Sequence, residues 1–210
     1  MDIVKTIIFF LMVGSFQGAN SFAASELPGL ESLPKCKGKT CYVKAIPEPW
    51  PQVPVKEGIK VKYRFVPLVV PKQIDYVGIG ESVAVIDYKR NRRIVLGSMT
   101  NNDLNLAESD ISVIESIEIM FNKTPDDKEP DGMKNKLAWR TIMLAKQQIF
   151  QKVAKVSIFE KDKIKVYFIY RQGEPYKNVA YIINEKYGDY VVTLESNIDT
   201  DEFLKIIASM

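Results

Sequence analysis

The sequence predicts an α+β protein: a single curved antiparallel sheet of about six or seven strands, helices packed on it, and an extended proline-rich arm in front. Three observations carry this. Short runs alternate apolar and polar residues and are joined by tight turns, the pattern of hairpins. Other stretches space their apolar residues as one face of a helix. The order is grouped (strands, helices, strands, helix), which favours α+β over an alternating parallel fold.

The first element is a leader. Lys5 supplies a short positive region, Ile7–Val13 an unbroken apolar core, and Gly14–Ala23 a more polar tail. Small Ser21 and Ala23 stand where a signal peptidase reads, so residues 1–23 are expected to be removed between Ala23 and Ala24. A membrane-spanning helix needs about 20 apolar residues. The Ile7–Val13 core is far shorter, and no later stretch reaches that length. The expected destination is the periplasm, with secretion as the alternative, and no membrane span after cleavage.

Residues 24–58 hold Pro28, Pro34, Pro47, Pro49, Pro51 and Pro54. Proline lacks a backbone donor and pushes the preceding residue toward extended geometry. The stretch is therefore an extended, partly polyproline-like arm, with Trp50 available to tack it down. Within it, Cys36 and Cys41 form a close pair, which in an exported chain reads as a disulfide. A metal site is the rival reading, but it needs about four ligands. The chain has no histidine and no second cysteine pair.

The folded domain is expected over 59–210. IKVKYRFVPLVV reads as one strand with Ile59, Val61, Tyr63 and Phe65 on one face, ended by Pro67 and Pro71. DYVGIG reads as a glycine-rich join. SVAVIDYKRNRRIVLGSM is a hairpin whose turn contains Asn91, a residue tolerant of positive φ. A helix follows, capped by Ser109 or Asp110, with Ile111, Ile114, Ile117 and Phe121 on its apolar face. A second helix is expected from Met133 to Val153. Two hairpins come next, turning at Lys161–Lys163 and around Tyr187–Asp189. A short helix capped by Asp199 or Thr200 closes the chain, burying Phe203, Leu204, Ile206 and Ile207.

This order resembles a known family. GDYVVTLES (Gly188–Ser196) leading into DEFLKII (Asp201–Ile207), with the hairpin over Ser82–Met99, looks like the Mog1/PsbP-like α/β/α sandwich. Small exported bacterial proteins of unassigned role share that fold. The resemblance implies a fold over 59–210 and transfers no catalytic residue.

Composition narrows the function. The absence of histidine removes Ser-His-Asp and Cys-His catalysis, histidine-ligated zinc and histidine acid–base work. A formal net charge of +3 does not make a nucleic-acid surface. Gly78-Ile79-Gly80 lacks the third glycine and the following helix of a phosphate-binding loop, so no cofactor is expected.

Two candidate sites remain. Lys89, Arg90, Arg92 and Arg93 crowd one hairpin tip, where four cations can engage phosphates, headgroups or an acidic protein partner. A solvated turn that resists edge aggregation is the plainer reading. Asp127, Glu129 and Asp131 before Gly132 imitate the start of a calcium loop, but Pro130 stiffens it and Ala138 stands where a bidentate glutamate belongs. No metal site is expected there. No carboxylate pair stands out for hydrolysis, and Glu115, Glu118, Glu160 and Glu195 are expected to face solvent at least in part. The expectation is a non-enzymatic envelope protein that binds a protein partner. A carrier of a small apolar ligand or lipid, and a carboxylate-based hydrolase, are the alternatives.

Overall fold

The computed structural model describes residues 35–103, 109–173, 175–188 and 190–210. The predicted leader, the first part of the arm and Asp189 lie outside them. The described residues contain ten strands: β1 (Ile46–Glu48), β2 (Gly58–Tyr63), β3 (Val66–Pro71), β4 (Ile74–Ile79), β5 (Val83–Tyr88), β6 (Arg92–Thr100), β7 (Val153–Lys161), β8 (Ile164–Arg171), β9 (Asn178–Asn184) and β10 (Tyr190–Ser196). Three α-helices accompany them: α1 (Val113–Asn122), α2 (Met133–Ile149) and α3 (Thr200–Ala208). The fold is α+β, as expected. The chain divides into two compact units.

The first unit comprises the described residues up to Lys44 and those of Asn101–Gln151. It holds a single 3-10 turn (Lys39–Tyr42), α1 and α2. The α1 cap is Ser112 rather than Ser109 or Asp110. Its hydroxyl accepts from the Glu115 amide at 3.1 Å, and the Glu115 carboxylate accepts from the Ser112 amide at 3.4 Å. Only Ser112 has an acidic residue three positions on, and that reciprocal pair satisfies two donors at once. The α2 helix stops at Ile149, short of the expected Val153, and Lys152 turns the chain at φ 58°. Phe121 meets Phe150 edge-on at 5.3 Å, joining the end of α1 to the end of α2.

The second unit is Ala45–Thr100 with Lys152–Met210. Its main sheet has eight strands in the order β1-β7-β8-β9-β10-β6-β5-β4. It is larger than predicted and mixed, for two reasons. Ile46–Glu48 of the proline-rich arm adds a strand parallel to β7, Ile46 facing Ser157. DYVGIG is not a join but β4, paired antiparallel with β5. IKVKYRFVPLVV is two strands, because Arg64 takes φ 54° and reverses the chain into a separate β2–β3 hairpin. Pro67 sits inside β3, at an edge that tolerates its missing donor.

One face of the main sheet buries Ile94, Leu96, Phe168, Ile182, Val192 and Leu194 against Phe203, Ile206 and Ile207 of α3 and Leu68 and Val70 of β3. Each such side chain contributes roughly 1.5–3 kcal/mol by burial. Asp199 caps α3, accepting from the Asp201 amide at 2.9 Å. At the other end the Ser209 hydroxyl accepts from the Val69 amide at 2.8 Å, which ties α3 to β3. Trp50 and Val55 of the arm pack on the same core, and the Lys161 ammonium lies 5.4 Å above the Trp50 ring.

Candidate functional site

The basic hairpin tip is the richest of the predicted sites, and its four cations divide into two pairs. β5 and β6 pair from Val83↔Gly97 to Tyr88↔Arg92, which leaves Lys89, Arg90 and Asn91 as the turn. Asn91 takes φ 55°, as its residue type predicts, and Arg90 takes φ 63°, which its type does not.

Arg92 and Arg93 are used within the fold. Arg93 forms a two-pronged pair with Asp87, Nη2 to Oδ2 at 2.9 Å with a second bond from Nε. Those hydrogen bonds hold the Asp87 carboxyl below the usual carboxylate range, and bonds to Asp87 and Tyr176 raise the Arg93 guanidinium. Arg92 pairs with Glu202 at the start of α3 and lies 5.8 Å over the Tyr88 ring. The stretch joining β10 to α3 then clamps the strand. Asn197 accepts from the Arg93 amide at 2.6 Å and donates to the Asn91 carbonyl at 2.7 Å, and the Ser196 hydroxyl donates to the Arg93 carbonyl at 2.7 Å.

Lys89 and Arg90 are exposed and make no ion pair among the described residues. The tip is therefore a fixed turn presenting two cations. Sequence alone does not separate the two pairs, because Glu202 and Asn197 lie more than a hundred positions from their partners.

Cys36 and Cys41 are joined in a disulfide with Cα atoms 6.0 Å apart, and Cys41 is fully buried within the 3-10 turn. The three carboxylates of the acidic loop go separate ways. Asp127 accepts from the Thr124 amide at 2.7 Å and hydroxyl at 2.9 Å, which lowers its carboxyl. Glu129 receives Arg140 through Nε at 2.9 Å and Nη2 at 3.2 Å, lowering it as well. Asp131 is almost fully exposed, 3.9 Å from the Lys128 ammonium. No three such side chains converge to hold a metal ion among the described residues.

Two ionisable groups shifted by burial have no signal in the sequence. Lys146 of α2 is fully buried, donates to the Lys123 carbonyl at the end of α1, and has its ammonium pushed down to about 8 by burial. Glu195 of β10 is half-buried, and burial raises its carboxyl against the opposing charge of Arg171. The large aromatics of the second unit pack on one another: Phe159 on Phe168 at 6.2 Å, and Phe168 on Phe203 at 5.6 Å. An open groove of about 570 Å³ runs between the arm and the start of α3, lined by Pro54, Glu57, Pro71, Asp201 and Lys205 among others. Its mixed charges and lack of aromatic side chains give it no distinct chemistry.

No protein-family model matches this chain, and no curated protein matches it. Any functional reading rests on the residues themselves.

Proposed function

We propose that this is an exported, non-enzymatic binding protein of the cell envelope that engages an acidic protein surface through Lys89 and Arg90. The observation that carries the reading is the division of the tip. Arg92 and Arg93 fasten the turn, while Lys89 and Arg90 stand in solvent on a rigid hairpin end. Cations held ready in this way steer an anionic partner and lose little freedom when it docks. The leader-like N-terminus and the Cys36–Cys41 disulfide suit an oxidising compartment. The resemblance to the Mog1/PsbP-like sandwich fits an accessory role. The phenylalanines of the second unit that an apolar-ligand carrier would use, Phe65, Phe159, Phe168 and Phe203, are packed within the core.

The test is charge reversal. A photo-crosslinker at the exposed position 91 is expected to capture an acidic protein from the host envelope. Capture is expected to fall at least tenfold in the Lys89→Glu/Arg90→Glu double variant and to weaken with salt. Undiminished capture by that variant, or capture indifferent to salt, overturns the assignment.

A further inference from the structure

The β7 edge of the main sheet is covered by the chain's own proline-rich arm, and the cover is shallow. Only Ile46–Glu48 pairs with β7, opposite Ser157 to Phe159, although β7 runs from Val153 to Lys161. The pairing is parallel, the less stable ladder per residue. Pro47, Pro49, Pro51 and Pro54 bring no backbone donor to it. Every residue from 45 to 57 is exposed or only half-buried. The Trp50 indole N–H is buried without a hydrogen-bond partner among the described residues, a desolvation cost that the docked arm does not recover.

Beneath this cover β7 makes specific contacts. Lys155, Ser157, Phe159 and Lys161 alternate onto one face of the strand. The Glu48 carboxylate is held by the Lys155 ammonium at 2.9 Å and by the Ser157 hydroxyl, which donates at 2.7 Å. Ser157 is fully buried, so its hydroxyl relies on that carboxylate. Two positions after Glu48, the Trp50 ring meets the Lys161 ammonium at 5.4 Å. The edge therefore reads an acidic residue followed at the second position by an aromatic one.

We infer that β7 is a peptide-binding edge and the arm a displaceable cover on it. The occupant is an extended segment of a partner protein, parallel to β7, carrying a glutamate and, two residues later, a tryptophan or phenylalanine. The arm defines that chemistry, because it is the segment seated there. A partner segment that keeps the acid and the aromatic but lacks the prolines brings backbone donors that the arm does not have, and it pairs with more of β7. The arm's advantage is its tether, which holds it beside the edge at an effective concentration of roughly millimolar order. In the sheet, β8, β9, β10 and β6 separate β7 from β5, so this site is distinct from the Lys89–Arg90 tip and does not depend on the role proposed for it.

The experiment uses the full chain with Trp50 as its one tryptophan (Trp139→Phe) and the synthetic peptide AITETFTQV. That peptide is the 45–53 stretch with threonine for each proline and phenylalanine for tryptophan. Adding it is expected to shift Trp50 emission to the red, saturably and at unchanged far-ultraviolet circular dichroism, as the arm lifts away. A control peptide with glutamine for the glutamate and alanine for the phenylalanine is expected to bind about tenfold more weakly. Glu48→Ala strips the arm of hydrogen bonds to a charged group and is expected to tighten peptide binding about tenfold. Lys155→Glu is expected to abolish binding, read by anisotropy of the labelled peptide. Absence of saturable binding to the Glu48→Ala variant, binding that leaves Trp50 emission unmoved, or binding indifferent to Lys155→Glu overturns the inference. If Glu48→Ala fails to fold, the Trp50 titration and the Lys155→Glu variant decide alone.

Discussion

At the scale of single residues, Arg90 is the most informative. A non-glycine residue at φ 63° costs about 1–2 kcal/mol, because Cβ crowds the neighbouring carbonyl. Arg90→Gly removes that cost, against the greater freedom glycine has when unfolded. The expected outcome is a rise in stability of about 0.5–1 kcal/mol, read as a higher urea midpoint at unchanged slope. A lower midpoint would show that the arginine side chain holds the turn. The same substitution halves the unpaired charge of the tip, so binding is expected to weaken while the fold strengthens, a split that a purely structural role would not produce. Asn91 was legible in the sequence because its type tolerates positive φ, and the crowding of four cations at one tip was equally plain. The split between paired and unpaired cations was not legible, since it depends on Glu202 and Asn197 arriving from a distant part of the chain. Lys146 escaped for the same reason: burial is a property of packing, and it sits in no local pattern that announces it.

At the scale of elements, hairpins were read well where alternation and turn chemistry agreed. β5–β6 and β7–β8 fall where the apolar runs and their turns placed them. The misreadings share a cause. Proline and glycine predict breaks in a strand pattern, yet Pro47 and Pro67 lie in strands and Gly78 lies inside β4. All three strands stand at an edge or in a two-stranded hairpin, where a missing donor or side chain costs least. The disulfide acts at this scale too. It closes a sequence separation of five residues and ends within the 3-10 turn, so it restrains only a short stretch of the unfolded chain. Cys36→Ser/Cys41→Ser is expected to cost about 2 kcal/mol. The loss belongs to the first unit, which carries Trp139, and a variant with that tryptophan alone (Trp50→Phe) reports it by fluorescence during urea unfolding. A loss seen equally by Trp50 alone (Trp139→Phe) would show that the two units unfold as one.

At the scale of the whole molecule, the ionisable groups set opposite pH responses in the two units. In the second unit Tyr88 and Tyr181 are buried; burial raises both hydroxyls, Tyr181 to about 12. Above pH 10 the unfolded chain releases protons that these tyrosines retain in the folded state, so stability falls as pH rises. In the first unit Lys146 works the other way. Its ammonium titrates at about 8 when folded and in the ordinary lysine range when unfolded. Between those values the unfolded chain holds a proton that the folded one has released, so stability rises with pH, by about 2 kcal/mol from pH 8 to pH 10. On the acid side both units lose stability as pH falls through the carboxylate range. Asp127 and Glu129 are lowered in the first unit and Asp87 in the second, each by hydrogen bonds to its partner, and protonation breaks those contacts. Glu195, raised by burial, opposes that loss in the second unit. The two tryptophans fall one to a unit, Trp50 in the second and Trp139 in the first, so single-tryptophan variants separate the responses. Urea midpoints from pH 7 to pH 11 are expected to climb between 8 and 10 for Trp139 and to drop above 10 for Trp50. Lys146→Met is expected to flatten the Trp139 climb and leave the Trp50 curve unchanged. A climb that survives in Lys146→Met would assign it to another group, and coincident curves for both reporters would mean that the two units share a single cooperative transition.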